Sequence, residues 1–79
     1  MLMRRLPKKH IFPGGFRVEI VIGKPLEGND ADYETLDVDL GRITLSKQRT
    51  PRQLWRDLAH ELVHAVVDAQ NYIERAVAP

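Results

Sequence analysis

The chain has 79 residues, enough for one modest hydrophobic core. Hydrophobic residues make up 43% of the sequence, charged residues make up 29%, and the net charge is +1, which excludes a strong global attraction to nucleic acid. There is no apolar run long enough to span a membrane and there are no cysteines, so disulfides and thiolate metal ligands are excluded. We therefore expect a single domain over residues 1–79, located in the cytoplasm.

The first 15 residues are predicted to be irregular, because Pro7 and the sequence Pro13-Gly14-Gly15 interrupt regular structure. Basic residues cluster in this segment between positions 4 and 10. We interpret the cluster as a solvated tail, and a nucleic-acid-binding arm is the alternative. The segment lacks the interleaved aromatic residues of a base-stacking surface, so nucleic acid is not the expected partner.

Three stretches in the first half have the alternating pattern of β-strands. Residues 16–22 are rich in β-branched residues and predict one strand, followed by a loop over residues 23–32. Residues 36–40 and 43–45 alternate apolar and polar positions on either side of Gly41. They predict a β-hairpin with its turn near Leu40-Gly41, and a single longer bent strand is the alternative.

A long amphipathic helix is predicted from position 50 onward. Thr50 suits the N-cap, Pro51 the first helical position, and Gln53 the third position of a capping box. His60 and His64 fall on the polar side of this helix. With 3.6 residues per turn, the apolar residues share one broad face of the helix. This face comprises Leu54, Trp55, Leu58, Ala59, Leu62, Ala65, Val66 and Ala69.

The polar side of the helix carries the pentapeptide H-E-L-V-H at positions 60–64. Residues four apart lie one turn apart, so the imidazoles of His60 and His64 can bind one metal ion. The motif is typical of zinc sites, and without cysteines any zinc here must be held by histidine and carboxylate. Glu61 beside the first histidine is then placed to act as the general base on a metal-bound water.

Catalytic zinc usually takes three protein ligands, so a third residue is needed. Asp68 continues the row of the histidines but lies about 12 Å along the helix from His60, and we favour Asp68 and Asp57 as residues that orient the imidazole rings. Glu74 is the better candidate for the third ligand, provided that the chain bends near Asn71. The alternative is a single long helix that runs to Ala78 with Glu74 solvated. His10 is a further possible ligand in the irregular segment.

With these residues in place, the sequence resembles the small zincin-type metallopeptidases of phage and bacteria, including the ImmA/IrrE-like group. The resemblance covers the second half of the chain. It lies in the stretch LWRDLAHELVHAV at positions 54–66 and in the downstream glutamate of YIERAV, which is Glu74. It implies zinc held by His60, His64 and Glu74, Glu61 as the base, and cleavage of a peptide bond.

The fold that we expect is α+β and minimal zincin-like. It has a small, mostly antiparallel sheet of two or three strands packed on one long helix that bears the H-E-x-x-H motif, with a short C-terminal helical piece. The expected function is a zinc metallopeptidase, with an extended peptide substrate bound along an edge strand at residues 42–46. Tyr33, Tyr72 and Arg56 are candidates for stabilising an oxyanion. The alternatives are a non-catalytic metal-binding or regulatory module and a nucleic-acid-associated factor.

Overall fold

The computed structural model describes residues 5–26 and 28–77, with side chains described as far as residue 75. The chain is α+β, as predicted, with four strands followed by one C-terminal helix. These elements are β1 (Lys9–Ile11), β2 (Arg17–Gly23), β3 (Ala31–Asp37), β4 (Leu40–Ser46) and α1 (Pro51–Val77).

The four strands form one mixed sheet with the order β1-β2-β4-β3. The outer pairs are antiparallel, whereas β2 and β4 are parallel, with Ile20 opposite Ile43. The expectation of two or three mostly antiparallel strands is thus corrected to four strands in a mixed sheet. The physical reason is the loop after β2, which carries the chain to the far edge before β3 and β4 fold back as a hairpin. That path places β4 in the interior of the sheet.

Strand β1 corrects the expectation that the whole N-terminal segment is irregular. Its three residues pair antiparallel with β2, with His10 opposite Val18. The Pro13-Gly14-Gly15 sequence forms the turn between the two strands, since Gly14 and Gly15 adopt the positive φ angles of 94° and 98° that favour glycine. A strand of three residues is too short to show periodicity, and it forms because β2 offers a partner. Residues 1–4 lie outside the described residues.

The predicted hairpin is present as β3 and β4, but its turn is at residues 38 and 39 and not at Leu40-Gly41. Gly41 lies within β4 and is buried on the side of the sheet that faces the helix. A Cβ atom at this position would collide with the ring of Tyr33. The glycine therefore permits the close approach of Tyr33 and does not make the turn.

The helix begins as the sequence predicts. The backbone amide of Gln53 donates to the Thr50 hydroxyl at 3.3 Å, and the amide of Thr50 donates to the Gln53 side chain at 3.0 Å, which completes a reciprocal capping box. The helix then continues without interruption to Val77, so the expected separate C-terminal piece is not formed. Among the described residues, no helix is long and apolar enough to cross a membrane.

One side of α1 packs on the sheet. The predicted apolar face is confirmed by buried Leu58, Ala65 and Ala69 and by half-buried Leu54, Trp55 and Leu62, which pack against the core. Ala59 and Val66 are instead exposed, and Glu61 is buried. The small side chains of Ala65 and Ala69 let the helix lie close to the sheet, and a single helix on a sheet buries only part of its circumference. The buried hydrophobic core comprises Phe16, Val18, Ile20, Ile43, Leu45, Leu58, Ala65 and Ala69.

Candidate metal centre

The two histidines of the motif lie on the flank of α1 with their rings directed at each other. The Nε2 atoms of His60 and His64 are 3.4 Å apart, and the ring planes are inclined by 76°. Zinc bonds to imidazole of 2.0–2.1 Å at tetrahedral angles place two nitrogens about 3.3 Å apart. The separation is also long for a hydrogen bond between the rings. The pair therefore has the spacing that one zinc ion requires.

Glu61 lies beside this pair and is the one charged side chain that is buried among the described residues, with 7% of its surface exposed. A carboxylate oxygen of Glu61 and one nitrogen of each histidine lie within 4.8 Å of one another. No hydrogen bond or ion pair in the described part of the chain involves the Glu61 carboxylate. The carboxylate oxygens themselves reach the solvent of the cleft, because no buried side-chain oxygen of the described residues lacks a hydrogen-bond partner. Glu61 therefore presents an accessible carboxylate beside the two imidazoles.

The histidines and Glu61 line an open cleft of about 780 Å³ between α1 and the start of β3. This volume is within the range of small-molecule and peptide sites. The opposite wall comes from the loop after β2 and from the first residues of β3, and it includes Asp30, Asp32 and Tyr33. The cleft is therefore polar on both walls and open to solvent.

An ion-pair cluster centred on Arg49 fixes one end of the cleft. The Arg49 guanidinium contacts Asp57 of the helix at 2.9 Å and Asp30 of the loop after β2 at 3.5 Å. The hydrogen bond that Arg49 donates to Asp57 is the main reason why the pKa of Arg49 is raised. Sequence reasoning did not identify Arg49, because the residues that it joins are brought together only by the fold.

Glu74, the predicted third ligand, is not brought to the histidines. It lies on the same uninterrupted helix, ten residues after His64, which corresponds to about 15 Å along the helix axis. The bend near Asn71 that the prediction required does not occur in α1. His10 is also remote, since it lies on β1 at the opposite edge of the sheet from β3, with its ring against Phe12.

Asp57 and Asp68 have partners other than the histidines that they were predicted to orient. Asp57 pairs with Arg49, while Asp68 accepts hydrogen bonds from the hydroxyls of Tyr33 at 2.7 Å and Thr35 at 2.6 Å. These hydrogen bonds connect strand β3 to α1 next to His60 and His64. The two aspartates therefore stabilise the walls of the cleft and do not touch the rings.

Tyr33 is held in its protonated form within the cleft wall. Burial is the main reason why its pKa is raised above the ordinary value of about 10, and the hydrogen bond and negative charge of Asp68 raise it further. Of the three residues considered for an oxyanion, Tyr33 and Arg56 line the cleft. Tyr72 instead packs against Phe16 in the core, with ring centroids 6.0 Å apart.

Comparison with known protein families, curated protein sequences and solved structures found no match to this chain. The resemblance to the small zincin-type metallopeptidases therefore rests on the residues of the motif and its flanks.

Proposed function

We propose that the protein is a minimal zinc-dependent metallopeptidase that hydrolyses peptide bonds. The observation that carries this proposal is the carboxylate of Glu61, which makes no hydrogen bond or ion pair among the described residues, beside two imidazole nitrogens that are spaced for one ion.

The donor set fits zinc. His60 and His64 would hold the ion through their Nε2 atoms, and the chain has no thiolates to compete for it. When bound in such a site, zinc polarises a carbonyl group and lowers the pKa of water to about 7. Glu61 accepts the proton that the attacking water loses and returns it to the leaving amine. Its position on α1, one residue after His60, fixes it beside both rings.

Arg56 is the residue that we propose for stabilising the developing oxyanion. It lies one turn before His60, lines the same cleft, and takes part in no ion pair or hydrogen bond among the described residues. Tyr33 is less suited, because its single hydroxyl proton is donated to Asp68. A permanently charged guanidinium needs no proton transfer to act on a negative charge.

The substrate would bind in an extended form along β3. The sequence placed this role on residues 42–46, but those residues form β4, which lies in the interior of the sheet between β2 and β3. Strand β3 is the edge strand, and its first residues line the cleft. Its outer edge offers unpaired backbone groups to which a peptide can add as a further strand.

A non-catalytic metal-binding module is the second candidate. One observation favours it. Among the described residues only His60, Glu61 and His64 form a group that could hold an ion, so Glu61 is the one candidate there for the third ligand. In that case Glu61 would be a ligand and not a base. The two candidates therefore differ in what removing the charge of Glu61 does to zinc binding.

The test is cleavage of an unfolded protein, such as a reduced and alkylated substrate, by the zinc-loaded chain. We expect hydrolysis that a chelator stops and that added zinc restores. Stoichiometric zinc without chelator-sensitive cleavage over a broad set of unfolded substrates would favour the metal-binding module.

A further inference from the structure

The side of α1 that faces away from the sheet carries an apolar stripe. Its central residues are Val63, Val66 and Val67, which are 68%, 39% and 57% exposed. Ala59, one turn before Val63, is also exposed. Valine is β-branched and is a poorer helix former than alanine or leucine. Three valines on a solvent-facing side are therefore not accounted for by the stability of the helix itself.

Opposite charges lie beyond the two ends of this stripe, at equal distances from Val63. Arg52 lies eleven residues before Val63, and Glu74 lies eleven residues after it. At 3.6 residues per turn, both side chains project within about 20° of the direction of Val63, and so do those of Arg56 and Gln70, seven residues before and after it. Both are exposed, and together they span about 33 Å of helix.

We propose that two copies of this chain associate through the stripe as an antiparallel helix pair, with the two-fold axis passing at Val63. In that arrangement Val63 meets Val63 of the second copy, and each Arg52 meets Glu74 of the second copy. A parallel pair would place Arg52 against Arg52 and Glu74 against Glu74. Burial of the valines supplies the attraction, and the charges at the ends select the antiparallel orientation.

Such a dimer covers one side of the cleft that His60 and His64 line. The directions of Arg56, His60 and His64 differ from that of Val63 by about 20°, 60° and 100° around the helix, so Arg56 lies within the interface, His60 at its border and His64 on its flank. The two-fold axis of an antiparallel pair is perpendicular to both helices, and it therefore keeps both histidine flanks on the same side. The two clefts then open in the same direction. The association rests on the exposed valines and charges of α1 and not on the proposed hydrolysis, whose use of Arg56 requires the monomer.

The first test is the molar mass of the protein in solution, measured by sedimentation over a range of concentrations. We expect a reversible monomer–dimer equilibrium for the wild type. Val63→Lys places two like charges at the two-fold axis and is expected to raise the dissociation constant about a hundredfold. Val38→Lys is the matched control, because Val38 is 66% exposed in the β3–β4 turn, and it is expected to leave the equilibrium unchanged.

A charge exchange tests the antiparallel orientation. Arg52→Glu places like charges at both ends of the pair, and we expect the dissociation constant to rise about tenfold. Adding Glu74→Arg in the same chain is expected to restore dimerisation. A negative charge at position 52 lies near the N-terminus of α1 and a positive charge at position 74 lies near its C-terminus. Both charges interact favourably with the helix macrodipole, so the single variant should remain folded. A wild type that stays monomeric at all concentrations, or a double variant no better than Arg52→Glu, would overturn the proposal.

Discussion

The hydroxyl of Tyr33 donates a hydrogen bond of 2.7 Å to Asp68, and this contact joins edge strand β3 to α1 one turn beyond His64. Asp68 also accepts from Thr35, so two residues of β3 hold the same carboxylate. These hydrogen bonds between β3 and α1 set the width of the cleft, because Tyr33 lies in one wall and the histidines lie in the other.

Tyr33→Phe is expected to lower the free energy of unfolding by about 1 kcal/mol, which is the usual net contribution of one hydrogen bond. The loss should be modest because Thr35 still donates to Asp68. Urea unfolding at neutral pH measures the change. A loss no larger than that of a Tyr72→Phe control, whose hydroxyl makes no hydrogen bond among the described residues, would contradict the role of this contact.

The raised pKa of Tyr33 predicts a loss of stability at alkaline pH. In the unfolded chain the phenol ionises near pH 10, while in the folded chain it keeps its proton to higher pH. The folded state then binds more protons, so the free energy of unfolding falls as the pH rises above about 10. Tyr33→Phe should flatten this dependence. An equally steep decline in the variant would assign the effect to other groups.

Gly41→Ala is expected to destabilise the fold by about 1–3 kcal/mol, because the added methyl group would occupy the space of the Tyr33 ring. Gly23→Ala at the end of β2 is the matched control. A Cβ there meets no atom within 4 Å, and we expect little change or a slight gain in stability. Thermal unfolding of the two variants compares the sites directly, and equal effects would contradict the packing of Tyr33 over Gly41.

Zinc binding should depend on His60 and His64 and on no remote residue. His60→Ala or His64→Ala is expected to abolish tight binding, measured as zinc content after dialysis. His10→Ala and Glu74→Gln are expected to retain zinc, since the structure places both residues away from the pair. Zinc should also raise the melting temperature of the wild type, because it binds the folded state. If Glu74→Gln lost its zinc, α1 would have to bend so that Glu74 reaches the ion. The ligands would then be His60, His64 and Glu74, as the resemblance implies.

Arg56→Ala should slow peptide hydrolysis about a hundredfold while zinc content stays unchanged, as expected when one oxyanion-stabilising group is lost. The effect should lie in kcat more than in KM, because the group acts on charge that develops in the transition state. Arg52→Ala, one turn earlier on the exposed side of the helix, is the control. Equal rates in the two variants would contradict the role of Arg56.

The helix and its capping box could be predicted from sequence because their signals are local. Thr50, Pro51 and Gln53 are neighbours in the chain. His60 and His64 are four residues apart, so any straight helix places their side chains one turn apart. The position of β4 between β2 and β3 could not be predicted, since parallel pairing depends on the path of the loop after β2. The contact of Tyr33 with Asp68 also joins residues that are distant in the chain.

The third ligand shows where local reasoning was insufficient. Glu74 suited the zinc site only if α1 ended near Asn71, and no glycine or proline breaks the helix there. The exposure of Val66 and the burial of Glu61 depend on how α1 is rotated on the sheet. The alanines at positions 65 and 69 set that rotation, because they allow the closest approach.

The most direct test of the central claim compares zinc-loaded wild type with Glu61→Gln. The substitution keeps the size of the side chain but removes the proton acceptor. We expect the variant to keep its zinc and its melting temperature and to lose nearly all chelator-sensitive cleavage of an unfolded protein. A Glu61→Gln variant that binds zinc and cleaves as fast as the wild type would contradict the account.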